Sequence, residues 1–374
     1  MSGPTHIAPS WLTERLTATF AAAGVPPAAA ASVAQALVDA DLRGISSHGS
    51  MLVPMYVDRI RRGSVTALTS AEVVADAGAV AVLDAHHALG VITADQAMAL
   101  AIDKASAHGL GAVAVRHAFH FGGAFRYVQA AAAAGMIGIA AANTRPLMPA
   151  PGGATAVVGN NPLAVGVPRA GGEPLVLDMA LSEAALGKIR LAAAEGREIP
   201  ATWATDADGV ATTDPAAAIA GLLLPAAGHK GYGLALVVDV LTGVLSGGSF
   251  GAAVKGLYAD TGTPNDCAHF FLALDVARFG ASADEFAQRV DMLAREVTSG
   301  PLAPGTERLL VPGQLEAERY AATRERGIVL STQTLTSLRE AAASVGVELG
   351  EPEPALAPGA PAAAAGAATE EPAS

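Results

Sequence analysis

Three short stretches of the chain carry residue types able to move protons or hold anions. The first is DLRGISSHG at 41–49. His48 titrates near neutral pH, Ser47 offers a hydroxyl beside the imidazole, and Gly49 lets a ligand approach the backbone. That grouping suits a general acid, although a histidine closing the end of a helix accounts for it equally well. The second is HFGG at 120–123, just beyond an apolar strand pattern at 112–115. A polar residue past the C-terminal end of a strand, followed by glycines, is where α/β proteins place chemistry. A buried histidine bonded to backbone is the equal alternative. The third is the run His229-Lys230-Gly231-Tyr232-Gly233, which opens a helical pattern. A lysine and free N–H groups at a helix start can hold a phosphate or carboxylate. A solvated surface lysine is the plainer account.

The usual signatures are missing. Gly109-Leu110-Gly111 begins a GxGxxA pattern ending at Ala114, but it precedes a strand instead of following one, the wrong context for a Rossmann pyrophosphate turn. Gly187-Lys188 is followed by Ile189 and has no upstream Walker glycine. His117 and His120 lack a third ligand at metal spacing, so no metal is expected. The single cysteine, Cys267, excludes an internal disulfide and a zinc framework.

These residues must be positioned by elements that the periodicity outlines. Trp11, Leu12, Leu16 and Phe20 mark a first helix, and Pro27 opens a second carrying Val33, Leu37, Val38 and Leu42. A short helix follows Pro54 through Tyr56 and Ile60. Strand patterns fall at 72–75 and 80–84, then a helix over 90–109 with Ile92, Met98, Ile102 and Ala105 on one face. From 111 to 178 short apolar strands alternate with helical or looped pieces, at 112–115, 136–142, 163–168 and 175–178, which points to an α/β layer. Ser182 is placed to cap a helix running to about 195. A hydrophobic helix follows Lys230, and 269–275 reads as a buried strand. Ser282 caps an amphipathic helix with Phe286, Val290, Leu293 and Val297 on its apolar face. Helices over 314–326 and 332–345 follow, and from Gly350 the Pro/Ala/Glu-rich tail reads as disordered.

With 374 residues the chain has room for two domains. Hydrophobic residues make up 51% and charged residues 16%, ample for a large core, while aromatics are only 4%. The core must therefore be built from Ala, Val, Leu and Ile. A net charge of −12 argues against general binding of nucleic acid or anionic membrane. The longest apolar run, 130–142, falls short of the roughly 20 residues a bilayer span needs. The opening MSGPTHIAPS shows no secretory pattern, so a cytoplasmic protein is expected.

Read together, the motifs resemble one family. In order they are DLRGISSHG at 41–49, HFGG at 120–123, GMIGIAAANT at 135–144, PGG at 151–153 and GNNPLAVGVP at 159–168. They continue with LDMALSEAALGKI at 177–189, GHKGYGLAL at 228–236, HFFLALD at 269–275 and VPGQLE at 311–316. The chain resembles the malate/L-lactate dehydrogenase family of NAD(P)-dependent 2-oxo acid reductases, which is unrelated to the Rossmann lactate dehydrogenases. The late VPGQ stretch looks most like its hydroxycarboxylate dehydrogenase branch.

The resemblance implies an α/β fold with a non-Rossmann, largely antiparallel sheet that binds the dinucleotide, NAD or NADP. It also implies a discontinuous helical domain drawn from both ends of the chain. The expected division is a helical part with the catalytic histidine over 1–75, a cofactor-binding α/β part over 76–280, and a second helical part over 281–349. A disordered tail over 350–374 completes it. The homodimer of such enzymes, with the active site at a subunit contact, is implied as well. Position by position, His48 matches the proton donor to the substrate carbonyl, with Ser47 as its hydrogen-bonding neighbour, and His120 matches an essential second histidine. Tyr56 matches a pocket residue. Asn143 and Thr144 match positions beside the nicotinamide. Asp178, Met179, Ala180, Ser182, His229 and Lys230 match the main cofactor contacts, and Pro312, Gly313 and Gln314 a late one.

One position departs from the family pattern. Most members carry Arg four residues after the donor histidine, where this chain has Leu52. The substrate carboxylate needs a cationic partner, and Arg145 or Arg126 can supply it. If 48–56 is helical, Leu52 lies one turn from His48 and offers a contact to an apolar substrate tail. The expected reaction is interconversion of a 2-oxo acid and a 2-hydroxy acid, with bulky or apolar acids preferred over oxaloacetate. A cyclic 2-imino acid reductase and a catalytically inactive binding homologue are the alternatives.

Overall fold

The computed structural model describes residues 6–280 and 282–355. In chain order its principal elements are α1 (Pro9–Ala22), α2 (Pro27–Leu42), α3 (Val53–Arg62), β1 (Glu72–Ala77), β2 (Val80–Asp84), α4 (Gly90–His108), β3 (Leu110–Ala118), α5 (Phe125–Ala133) and β4 (Met136–Ala142). They continue with β5 (Leu163–Val167), β6 (Leu175–Met179), α6 (Leu186–Ala194), α7 (Pro215–Ala220), α8 (His229–Asp239), β7 (Cys267–Asp275), α9 (Ala283–Thr298), α10 (Gln314–Arg326) and α11 (Thr332–Ala343).

The seven strands form one sheet in the order β1-β2-β3-β7-β4-β5-β6. Only the β2–β3 pair is parallel; every other neighbouring pair is antiparallel. The last strand in sequence, β7, is thus inserted at the centre, between β3 and β4. That position fits its composition: HFFLALD seals His269, Phe271 and Ala273 on one face and half-buries Phe270, Leu272 and Leu274 on the other. The edge strand β1 is exposed along its length and carries Glu72 and Asp76, charges that discourage pairing with another chain. Helix α4 packs on β3 and β7, and α5 on β4 and β5. The second contact is close because Gly138 has no Cβ; one built there would stand 2.5 Å from the Ala131 methyl.

Helices α1, α2 and α3 share a second apolar core with the end of the chain, where Leu37, Tyr56, Ile328 and Leu338 are all sealed. Ile7 pairs with Ile328 and bridges Pro354. Prolines occupy the first turns of α1 and α2, where their missing N–H costs nothing. A third core, including Met148, Leu181, Ile189, Leu223 and Val238, lies under α6, α7 and α8.

Several sequence expectations change. Ser182 does not cap α6; its hydroxyl donates to Ala184 O at 2.9 Å, and the helix starts uncapped after Ala185. Ser282 does cap α9, accepting from Glu285 N. The apolar side of α9 is only partly covered: Phe286 and Val290 are half-buried and Leu293 and Val297 exposed, while Asp291 and Ala294 face inward, where Arg169 holds the Asp291 carboxylate at 2.8 Å. On α4 the sealed face is Val91, Ala94, Met98, Ala101 and Ala105, with Ile92 and Ile102 only half-buried. Residues 351–355 are not a free tail, since Ala8 N donates to Glu353 O and Ala355 N to His6 O. The rest of the expected tail, 356–374, lies outside the described residues.

Candidate active site

Helix α2 ends at Leu42, and the chain then makes two separate 3-10 turns, Ser46–His48 and Ser50–Leu52, before α3 begins. Gly49 between them is extended, so His48 and Leu52 do not share a continuous helix. The break is held by Asp41. Its carboxylate, buried in the last turn of α2, accepts from Ser50 N at 2.9 Å. It also fills the space beside Gly49, where a Cβ would stand 1.9 Å from Asp41 Oδ1. No other residue type fits position 49 while Asp41 stays where it is. Burial pushes the Asp41 carboxyl up to about 6, against the lowering effect of its bonds to Ser50.

This turn presents His48 to His120, which follows the end of β3. The two imidazoles stack with ring centroids 5.5 Å apart and planes inclined by 26°. Each is held from behind by a hydroxyl: Ser47 Oγ stands 3.0 Å from His48 Nδ1, and Tyr56 Oη 2.8 Å from His120 Nδ1. Tyr56 is fully buried, packs on Phe119 at 5.1 Å between centroids, and also donates to His120 O at 3.3 Å. It therefore orients His120 and does not line an open pocket as expected. Burial lowers the pKa of His48. Burial, and secondarily His48 and His269, push His120 down to about 3, so His120 is neutral near pH 7. Behind the pair, the sealed His269 stacks on Phe121 at 4.6 Å.

Leu52 is 2% exposed and belongs to the helical core with Leu37, Tyr56 and Leu338. The expected contact with an apolar substrate tail is not available to it. Of the two candidate arginines, Arg126 is already committed, with Nε and Nη2 on Asp95 at 2.9 and 2.8 Å and Nη2 on Ser32. Arg145 is exposed, its Nη1 touching only Pro146 O at 3.5 Å.

The dinucleotide candidates divide by how much of each side chain is free. Asn143 is buried and fully engaged: Nδ2 donates to Asp239 Oδ1 and Ser249 O, both at 2.9 Å, and Oδ1 accepts from Ala268 N at 2.7 Å. Its side chain bolts α8 and β7 to the end of β4. Thr144 is held by Asn160 and Asn161. Asp178 closes β6 and accepts from Phe125 N at 2.8 Å, which ties the strand end to the first turn of α5, just after HFGG. Met179 and Ala180 follow it, half-buried. Pro312 O accepts from Val176 N at 3.1 Å, which brings Pro312, Gly313 and Gln314 alongside β6 two residues from Asp178. Gln314 itself bonds Val311 N and Glu318. His229 and Lys230 are exposed at the start of α8, after an N-cap glycine that offers no side-chain bond. His229 lines a separate cleft of about 340 Å³ with Pro151, Gly153, Thr205 and Asp208.

Two buried side chains that hold segments near this pair carried no usable signal in the sequence. Asp41 opens DLRGISSHG, but its seven-residue spacing from His48 matches no local contact rule. Arg59 stands beside Arg61 and Arg62 in the sequence and is completely buried. Among the described residues no cluster of His, Cys, Asp or Glu has metal-holding geometry. No helix in the described residues is long and apolar enough to cross a membrane.

Comparison with known proteins agrees along nearly the whole chain. The family model described as malate/L-lactate dehydrogenase matches residues 7–339. Malate dehydrogenase of Pyrococcus horikoshii is 37% identical over 333 residues, covering 87% of this chain and 91% of that protein. Ureidoglycolate dehydrogenase (NAD(+)) of Escherichia coli is 39% identical over 292 residues, covering 78% and 83%. (2R)-3-sulfolactate dehydrogenase (NADP(+)) of Chromohalobacter salexigens is 38% identical over 312 residues, covering 83% and 89%. Among solved structures, sulfolactate dehydrogenase from Methanocaldococcus jannaschii superposes with a TM-score of 0.87 at 34% identity, covering 92% of this chain and 98% of that one. Delta1-piperideine-2-carboxylate reductase from Pseudomonas syringae gives 0.80 at 31%, covering 90% and 99%.

Proposed function

The chain belongs to the malate/L-lactate dehydrogenase family, and from that premise we propose that it interconverts a 2-oxo acid and a 2-hydroxy acid, using NAD or NADP. The observation that carries the proposal is the stacked His48–His120 pair, each ring anchored at Nδ1 by a hydroxyl. When bound, the nicotinamide supplies or takes the hydride. The residues present fit such a group. Asp178, Met179 and Ala180, with Pro312 to Gln314 alongside, form one end of its bed, and the uncapped start of α8 with Lys230 suits a phosphate.

In the reductive direction His48 delivers a proton from Nε2 to the developing alkoxide, while Ser47 Oγ keeps its Nδ1 occupied. His48 is assigned this role because its turn opens to solvent through the exposed Ser47, so it can be recharged. His120, neutral and held at Nδ1 by Tyr56, stacks on the His48 ring and fixes its orientation. Arg145 takes the substrate carboxylate. A homodimer is also proposed. It is supported by exposed apolar residues along α8 and the turn after it, where Val237, Val240, Val244 and Leu245 are 47–57% exposed.

A second reading, reduction of a cyclic 2-imino acid, is favoured by the likeness to the piperideine carboxylate reductase. NADH and NADPH consumption with a panel of 2-oxo acids, alone and mixed with an amine or replaced by cyclic imines, separates the two. His48→Ala should lower kcat by about 10²–10⁴ with cofactor affinity unchanged. A variant retaining more than about half of the turnover would transfer the proton to His120.

A further inference from the structure

The loop 255–265 is built around a buried cation. Lys255 and Asn265 close its neck by mutual backbone and side-chain bonds. Inside it lies the guanidinium of Arg59, with no exposed surface. Nε donates to Leu257 O at 3.0 Å; Nη1 to Thr263 O at 2.8 Å and Ser64 Oγ at 3.3 Å; Nη2 to Gly256 O and Leu257 O at 2.9 Å and Asp260 O at 3.3 Å. Four loop carbonyls therefore converge on one side chain of α3. Thr261 adds a bond to Asp58 and accepts one from Ser64 Oγ at 2.6 Å. A loop held at so many points has a fixed shape and a fixed seat.

That seat adjoins the candidate site from two sides. Arg59 lies over Phe119 at 5.6 Å, Phe119 packs on Tyr56, and Tyr56 holds His120. Leu257 packs against the helical core that contains Tyr56. On the other side Gly256 meets the Arg145 side chain, whose Cδ would lie 3.1 Å from a Cβ at 256. Between these two anchors the loop raises Tyr258, 59% exposed although its backbone neighbour Leu257 is doubly bonded. A large side chain left in solvent on a rigid loop beside Arg145, the arginine proposed above for the carboxylate, has no packing role to explain it.

We propose that the Arg59-caged loop 255–265 selects among 2-oxo acids, with the Tyr258 hydroxyl meeting the end of the substrate remote from the reacting carbonyl. The proposal rests on the 2-oxo acid reading above. The loop faces that end with a hydrogen-bond donor, so it favours acids whose far end accepts a hydrogen bond, a second carboxylate in particular. Arg59 acts through the loop and is a positioning residue.

The test compares kcat/KM for oxaloacetate and 2-oxobutyrate, acids of equal chain length with polar and apolar ends, in the full chain with its preferred cofactor. Tyr258→Phe should lower the oxaloacetate to 2-oxobutyrate ratio by about 10-fold, the size of one hydrogen bond to a charged group. It should do so through KM more than kcat, with Tm and cofactor Kd unchanged because the side chain is exposed. Arg59→Lys, which cannot reach four carbonyls, should lower the same ratio while leaving the pH profile of kcat in place. Should that variant fold poorly, Tyr258→Phe decides alone. A ratio within twofold of the wild type in Tyr258→Phe, with turnover intact, overturns the assignment and leaves the 2-oxo acid reading standing. No turnover of any 2-oxo acid by the wild type overturns both.

Discussion

Asp41→Asn should stabilise the protein at alkaline pH and leave it unchanged in acid. The carboxyl is buried, bonded to Ser50 N, and raised from 3.8 to about 6. A folded-state pKa above the unfolded value means that the folded chain binds this proton more tightly. The contribution favours folding fully below about pH 3.8 and is lost as pH rises through about 6. A shift of about two units is worth about 3 kcal/mol. The wild type carries that penalty at pH 8 and almost none at pH 4. Asparagine keeps an oxygen for Ser50 N and carries no charge. For a chain of 374 residues the unfolding entropy is about 0.8 kcal/mol/K, so the gain at pH 8 should be about 4 °C in Tm. Thermal melts of wild type and variant from pH 4 to pH 8 give the difference curve directly. A Tm difference that does not change with pH, or a variant less stable at pH 8, would show that the charge is not what burial there costs. The turn that carries His48 should survive in this variant, so kcat at pH 7 should stay within a few-fold.

Leu52→Arg should destabilise the fold by about 3 kcal/mol or more by burying an unpaired charge, read as a fall in Tm, with no shift in kcat/KM towards oxaloacetate. Asn143→Leu should cost about 3–5 kcal/mol in denaturant unfolding, because Asp239, Ser249 O and Ala268 N all lose their partner in one substitution. Truncation after Gly350 should lower Tm relative to truncation after Ala355, since only the shorter chain loses the backbone bonds of Glu353 and Ala355; equal melting temperatures would show those bonds contribute nothing.

Much of the local structure is legible because it follows from periodicity and caps. Helix α10 matches its expected range of 314–326 residue for residue, and Ser282 caps α9 as its type suggests. The sheet order is not legible, since nothing local in HFFLALD says that it enters between two strands formed from residues 110–142. The turn around His48 fails for a related reason. Helical spacing from His48 to Leu52 is a local argument, and it is overridden by Asp41, a residue of the preceding helix whose carboxylate occupies the space beside Gly49. Arg59 and Asn143 show the same limit. Each is polar, Asn143 matching a position beside the nicotinamide, yet each is buried by partners drawn from distant segments. Side chains that hold the site are thus harder to read than side chains that occupy it.

The pairing of Ile7 with Ile328 and Pro354 has a consequence for how the protein is made. At roughly 5–20 residues per second, a ribosome needs on the order of tens of seconds to deliver the second partner after the first. During that interval α1 and α2 have only part of their core, and Trp11, Leu12 and Leu16 lack the companions supplied by Ile328 and Leu338. The sheet can close sooner, once β7 has emerged. The layer that carries His48 is therefore completed last, by contacts of very long sequence separation, which form slowly. A nascent chain stalled after β7 would hold a formed sheet and an unfinished helical layer, with apolar surface open to chaperones.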